Sequence, residues 1–368
     1  MMVCEIGPEK PDFDGKEAFN DMKIAVLAGG LSPERDVSLT SGSLIANSLM
    51  RSGHRVCLTD VYMGAELTKD PEDMFLREGS FCGQIGEVEP DLDRLKRESG
   101  NGDALIGKNV AEICRAADVV FVAMHGGMGE NGMLQAYLDC LGIRYTGSGY
   151  EGCLLAMDKG LTKQVFLGNG IVTPPFVILK NDAAAPRAIA ERIGFPCVVK
   201  PLACGSSVGV SIVADEAELD GALRRAGVYE AQVLVEKKIT GREFSVGVLN
   251  GSYLPPIEII PKSGFYDYKN KYQSGMTVEV CPAALTPEET ETVGQAALSV
   301  HRALRLGTYS RSDFILSEED HRFYCLEANA LPGMTPASLL PQEAKAAGMD
   351  YDALCLAIVG GAGRHTEH

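Results

Sequence analysis

A chain of 368 residues is long enough for two or three domains with sizeable buried cores. Hydrophobic residues make up 45% and charged residues 23%, the balance of an ordinary globular protein. A formal net charge of −16 argues against nucleic acid or an anionic membrane as the main partner and leaves room only for local basic sites.

The first 22 residues are acidic and lack a long apolar run, so they read as a loosely held tail rather than a secretory signal. No stretch reaches the roughly 18 consecutive apolar residues of a membrane span. The 11 cysteines are scattered without a C-x-x-C pair. Cys57, Cys197 and Cys325 lie in apolar runs, which suits reduced thiols in a cytoplasmic protein.

Residues 23–28 (KIAVLA) form a short apolar strand ending at Gly29–Gly30. Ser32–Pro33 then opens a helix, with serine as the cap and proline in the first turn, and Val37, Leu44, Ile45 and Leu49 follow at near-helical spacing. Further strands at 55–61, 118–124 and 143–145, alternating with helices, predict an open, mostly parallel α/β sheet over 23–150. The polar segment 64–108 shows no clear elements. A second unit, 151–240, carries strands at 176–180, 197–200, 208–213 and 232–237, with helices at 183–193 and 216–226. A third, 241–368, has strands at 243–249, 253–260 and 277–280, a helix at 287–305, a hairpin and C-terminal helices.

The hairpin is the most informative element. Its strands, 310–316 and 323–328, flank a polar run centred near residue 320, so Asp313 falls roughly opposite Glu327. Strand alternation puts Asn329 on the face of Glu327. Two carboxylates and an amide oxygen suit Mg²⁺ bound together with substrate phosphates, or they are unrelated groups on a solvated face. The continuation, ALPGMT, carries the strand into a Pro–Gly turn and then a helix, a common way to present ligands at a strand's end.

Four other stretches carry chemistry. Lys200 to Gly209 is a Gly/Ser loop between strands, either an ordinary hairpin or a flap whose N–H groups and Lys200 meet phosphate. Glu236 and Glu243 bracket a Lys–Lys pair, as a solvated charge run or as carboxylates for ribose hydroxyls. Lys271 and Tyr272 end an aromatic, basic loop that could reach a phosphate and close a site. His125 follows an apolar strand and precedes three glycines, at a strand end suited to a ligand or to a structural histidine. The first Gly turn lacks G-x-G-x-x-G, and G-x-x-x-x-G-K-[ST] occurs nowhere, so a nucleotide must be held by other means.

Taken together, GGLSPERDVSLTSG, MHGGMGENGMLQ, YTGSG, MDK, VVKPLACGSSVGV, VEKKITGREFSV, YDYKNKY and RSDF…LEANALPGMTPASLLP resemble, in order and over residues 23–358, the D-alanine–D-alanine ligases of the ATP-grasp superfamily. The resemblance implies a three-domain ATP-grasp architecture: an N-terminal Rossmann-like sheet, a central lid and a C-terminal domain. ATP would lie between the second and third units, with Lys159 and Lys200 near its phosphates, Ser206 and Ser207 in the covering loop, and Glu236 and Glu243 on adenosine. Asp313, Glu327 and Asn329 match the ligands of two Mg²⁺ ions, for which Mn²⁺ can substitute. Glu34 matches the carboxylate that meets the first D-alanine's ammonium group, linked to Ser206 and Tyr272, with His125 beside it. Arg311 and the Gly333 N–H match oxyanion donors, and Ser338 and Leu339 match the positions receiving the second D-alanine's carboxylate.

The implied reaction joins two D-alanines through an acyl phosphate for peptidoglycan precursors, in a cytoplasmic homodimer. D-Serine and D-lactate ligases share the fold, but Lys271–Tyr272 and Leu339 match the D-alanine branch. Another carboxylate–amine ligase is disfavoured by the Glu34, Tyr272 and Ser338–Leu339 set, and the intact Asp313, Glu327, Asn329, Lys200 and Arg311 speak against a non-catalytic nucleotide binder. Cys204 in the phosphate loop, Ser312 and the N-terminal tail depart from the family pattern.

Overall fold

The computed structural model describes residues 21–67, 70–84, 86, 90–180, 189, 192–205, 207–262 and 277–363. Its first layer is a parallel sheet in the order β2-β1-β3, built from β1 (Lys23–Ala28), β2 (Arg55–Asp60) and β3 (Val119–Val122). Five of the six β1 residues are buried, as a central strand covered on both faces requires. The helices of this unit are α1 (Arg35–Arg51), α2 (Leu92–Ser99), α3 (Val110–Ala116) and α4 (Met133–Cys140). The strand expected at 143–145 shrinks to single bridges from Tyr145 to Val120 and to Gly363. Helix α1 also starts later than the sequence suggests. Ser32 lies before the helix, where its hydroxyl donates to the His125 carbonyl (2.8 Å) and accepts from the Glu34 N–H (3.1 Å). Glu34 takes the cap position without using its carboxylate there.

The second sheet is antiparallel, β4-β7-β5-β6, from β4 (Phe176–Lys180), β5 (Cys197–Pro201), β6 (Ser211–Val213) and β7 (Gln232–Lys237). Helix α7 (Glu216–Gly227), capped by Asp215, buries Leu219, Ala222, Leu223 and Ala226 with Val199, Val213, Val233 and Val235. β6 begins three residues later than expected, because Gly209 adopts a left-handed φ of 73° against Pro201 and the chain is still turning there. The helix expected at 183–193 lies almost wholly outside the described residues.

The third sheet runs β11-β10-β8-β12-β13, with a short β9 paired to β8. Its strands are β8 (Gly241–Leu249), β9 (Ser252–Tyr253), β10 (Ile257–Pro261), β11 (Thr277–Val280), β12 (Tyr309–Ser317) and β13 (Phe323–Asn329). The strand expected over 253–260 is broken by Pro255–Pro256, which lack the N–H groups a ladder needs. Helix α8 (Pro287–Ala303) opens with a capping box between Thr286 and Glu289 and packs on this sheet.

Two pieces of chain cross between layers. In α5 (Tyr150–Met157) and α6 (Lys159–Gly168), Cys153, Ala156 and Phe166 join the core of the third sheet with Phe244 and Phe314. Helices α9 (Leu339–Ala346) and α10 (Tyr351–Gly360) return Leu354, Cys355, Ile358 and Val359 to the first core beside Ile45 and Leu49. The loops at the ends of all three sheets are thereby brought to one cleft.

Candidate active site

The hairpin β12–β13 forms the cleft floor. Arg311 pairs with Asn329 and Asp313 with Glu327, the register expected from alternation. Beyond Asp313 the register shifts, with Phe314 opposite Cys325, so Leu326 is the extra residue of a bulge. Asp313 is buried and held by a bidentate fork from Arg311 (3.0 Å and 3.0 Å), by the Ser245 hydroxyl (2.7 Å) and by the Asn329 amide nitrogen (3.1 Å). With its nitrogen on Asp313, Asn329 has its amide oxygen as the end that a cation could use. Among the described residues no three His, Cys, Asp or Glu converge tightly enough to cage an ion unaided. Two carboxylates and an amide oxygen instead fit Mg²⁺ shared with phosphate oxygens.

Two cavities meet over this floor. One, of about 300 Å³, is lined by Glu34 and His125 from the first unit and by Arg311, Asn329, Gly333, Ser338 and Leu339 from the third. The other, of about 470 Å³, is lined by Lys200, Ser207, Glu236, Glu243 and Asp313, and is of a size for a nucleotide. Lys159 and Glu327 line both, with Lys159 Nζ 3.9 Å from Glu327 Oε2. Lys159 also donates to the Cys204 carbonyl (2.7 Å), which ties the Gly/Ser loop to the junction. Ser206, Lys271 and Tyr272 lie outside the described residues.

Local chemistry explains each wall. His125, at the end of β3, is buried, with Nε2 3.3 Å from Ser41 Oγ and Nδ1 3.7 Å from Glu130 Oε1. Gly126 lets the Glu34 carboxylate lie against the backbone, where a methyl group would sit 2.7 Å from Oε2. Gly333 packs against Ser338, whose hydroxyl is engaged with Thr335 Oγ1 (2.8 Å) rather than capping α9. The first-turn N–H groups of α9 therefore have no side-chain cap and suit a carboxylate.

Behind the wall of the nucleotide-sized cavity lies a buried ion triad, of which Glu236 and Lys200 line the cavity and Lys163 does not. Glu236 Oε1 lies 2.5 Å from Lys200 and Oε2 lies 2.6 Å from Lys163. Burial alone would push the Glu236 carboxyl up, but the two lysines together outweigh it and hold it below the usual carboxylate range. Burial likewise disfavours charged Lys200, yet Glu236 and Glu327 leave it above the ordinary lysine value.

Residues 23–148 match the family model described as the D-ala D-ala ligase N-terminus, and residues 165–360 match the one described as its C-terminus. The chain belongs to the D-alanine–D-alanine ligase family. It is 44% identical over 348 residues to the D-alanine–D-alanine ligase of Pediococcus pentosaceus, covering 92% of this chain and 97% of that relative. The ligase of Lacticaseibacillus casei is 40% identical, covering 92% and 95%. Crystal structures of D-alanine–D-alanine ligase from Bacillus anthracis superpose with a TM-score of 0.70 at 30% identity, and at 29% for the one complexed with ATP, each covering 92% of this chain and 97% of theirs.

Within this family member, reading the sequence missed two residues that line the cavities and one, Lys163, that lies behind Glu236. Lys163 sits one helical turn after Lys159, and that i, i+4 spacing was the available signal. Arg242 reaches into the nucleotide-sized cavity and forks onto Glu258 (2.7 Å and 2.7 Å), a cross-strand pair visible only once β8 and β10 are aligned. Glu279 lines the smaller cavity near Ser338, in a strand assigned correctly but with its inward face unrecognised.

Proposed function

We propose that this chain joins two D-alanines into D-alanyl-D-alanine at the expense of ATP, in the cytoplasm, as a step toward peptidoglycan precursors. The observation that carries the reading is the shared wall: a nucleotide-sized cavity and a smaller cavity meet at Lys159 and Glu327. A phosphoryl group passing from one to the other must cross that junction.

ATP occupies the larger cavity, its phosphates toward Lys159 and Lys200 and its adenosine toward Glu236 and Glu243. The first D-alanine lies with its ammonium group on Glu34 and its carboxylate at the junction. A carboxylate is a poor electrophile, so its oxygen attacks the γ-phosphorus, ADP leaves, and an acyl phosphate forms. In-line transfer depends on positioning and charge neutralisation, which the lysines provide. Mg²⁺, held by Asp313, Glu327 and Asn329, supplies further neutralisation of the phosphate charge when bound. The second D-alanine sets its carboxylate at the start of α9, by Ser338 and Leu339. Its neutral amine attacks the acyl carbon, phosphate departs, and the amine proton is lost. The tetrahedral oxyanion meets Arg311, which the fork on Asp313 holds rigid, and the Gly333 N–H. Closing the cleft keeps water from the acyl phosphate.

ADP release measured against D- and L-amino acids and D-hydroxy acids, with Mg²⁺ and product identification, tests the reading. D-Alanine alone should release ADP and yield the dipeptide. No ADP release with D-alanine, or a predominantly mixed product with equimolar D-serine or D-lactate, refutes it.

A further inference from the structure

One carboxylate in the smaller cavity has no part in the reaction above. Glu279 lies in β11, an edge strand whose alternation is inverted. Val278 and Val280 are 43% and 37% exposed, whereas Glu279 turns inward to line the cavity. A strand packed on one face ordinarily turns its apolar residues inward, so this arrangement forgoes apolar burial to bring an acid to the wall. The cross-strand partner of Glu279 is Ile259, which packs with Leu339. Gln342, in the first turn of α9, donates the same nitrogen to Glu279 Oε2 (2.5 Å) and to the Ala337 carbonyl (2.9 Å). That nitrogen fixes the carboxylate beside the turn leading into Ser338.

Given the ligation proposed above, we propose that Glu279 receives the ammonium group of the second substrate and thereby selects an amino acid over a hydroxy acid as acceptor. At neutral pH the acceptor amino acid arrives as a zwitterion. The start of α9 suits its carboxylate, and the nearby anionic wall at Glu279 suits its cation. A D-hydroxy acid presents the same carboxylate but no positive charge, so Glu279 offers it no charge-assisted hydrogen bond. Glu34, which lines the same cavity, is already assigned to the first ammonium group, so each amino acid meets its own carboxylate. Glu279 acts on affinity and choice of acceptor, ahead of the proton loss that frees the attacking amine.

Glu279→Gln keeps the shape, and its amide oxygen can still accept from Gln342. With D-alanine as donor, it should raise the acceptor KM for D-alanine on the order of tenfold, the worth of one charge-assisted hydrogen bond, and leave the ATP KM unchanged. In competition between equimolar D-alanine and D-lactate, the dipeptide-to-depsipeptide ratio should fall by a similar factor. Glu279→Asp, which keeps the charge, should retain part of the wild-type ratio. If wild type forms the dipeptide and Glu279→Gln changes neither the ratio nor the acceptor KM, the role of Glu279 is overturned while the ligation stands. A wild-type enzyme that forms no dipeptide overturns the ligation and this role with it.

Discussion

Replacing Lys163 with methionine removes one of the two cations that enclose Glu236. Lys163 is fully buried, 2.6 Å from the Glu236 carboxylate and 2.6 Å from Thr173 Oγ1, which in turn donates to the Cys325 carbonyl two residues before Glu327. Methionine fills much of the lysine stem's volume, so the change acts mainly through charge. Breaking a buried pair by deleting one partner costs about 3–5 kcal/mol, and because Lys200 stays 2.5 Å from Glu236 the lower end, about 3 kcal/mol, is expected here. Adding Glu236→Gln should recover part of that loss, giving a coupling of about 1–3 kcal/mol. Urea denaturation of both single variants and the double variant closes the cycle, and hydrogen exchange at the β5 and β7 amides localises it. The pH dependence has a defined sign. Glu236 titrates below its ordinary range in the fold, so its contribution is complete above the unfolded value and is lost as pH falls through the lowered one. The gap between wild type and Lys163→Met should therefore narrow in acid. A loss below about 1 kcal/mol, or single effects that simply add, would refute a coupled triad.

Glu327→Gln should lower kcat on the order of a hundredfold or more by removing a charge from the cavity junction, while its stability changes by less than about 1 kcal/mol. Steady-state ADP release beside thermal melting separates the two, and matched losses would make Glu327 structural. His301 is held down to about 4, chiefly by burial, with Nδ1 2.7 Å from Ser310 Oγ. The unfolded chain takes up the proton near pH 6.5 and the fold does not, so stability should fall by about 2 kcal/mol from pH 7 to pH 5, and His301→Gln should flatten that slope in urea titrations. Gly247 lies opposite Arg311, and a methyl group there would run into Glu343 Oε2 and Leu340 Cδ1 of α9. Gly247→Ala should cost about 1–3 kcal/mol and raise the acceptor KM more than the ATP KM, since α9 carries Ser338 and Leu339. Equal changes in the two constants would break that link.

What could be read from the sequence was local, and what could not depended on distant partners. The Asp313–Glu327 pairing followed from period-two alternation and the position of one polar turn, both contained in 20 residues, and the register agrees. The α/β class and most strands were legible for the same reason. Pro255–Pro256 was a local signal passed over, and the break in the expected strand sits there. The role of Ser32 was not legible, since its hydroxyl donates to the His125 carbonyl 93 residues away and the helix begins only after Glu34. Glu236 resembled part of a solvated charge run until β4, β5 and β7 were aligned around it; only then does a carboxylate with 2% exposure lie between lysines from α6 and β5. Burial of that kind cannot be inferred from composition, since a charge is tolerated inside only where its counter-charges arrive from elsewhere in the chain. Glu279 is the converse case. Its neighbours Val278 and Val280 spell an ordinary strand, and only the exposure of those valines shows that the face toward Leu339 was given to an acid. Stability alone would have put a valine there, so the exception points to the ligand rather than to the fold.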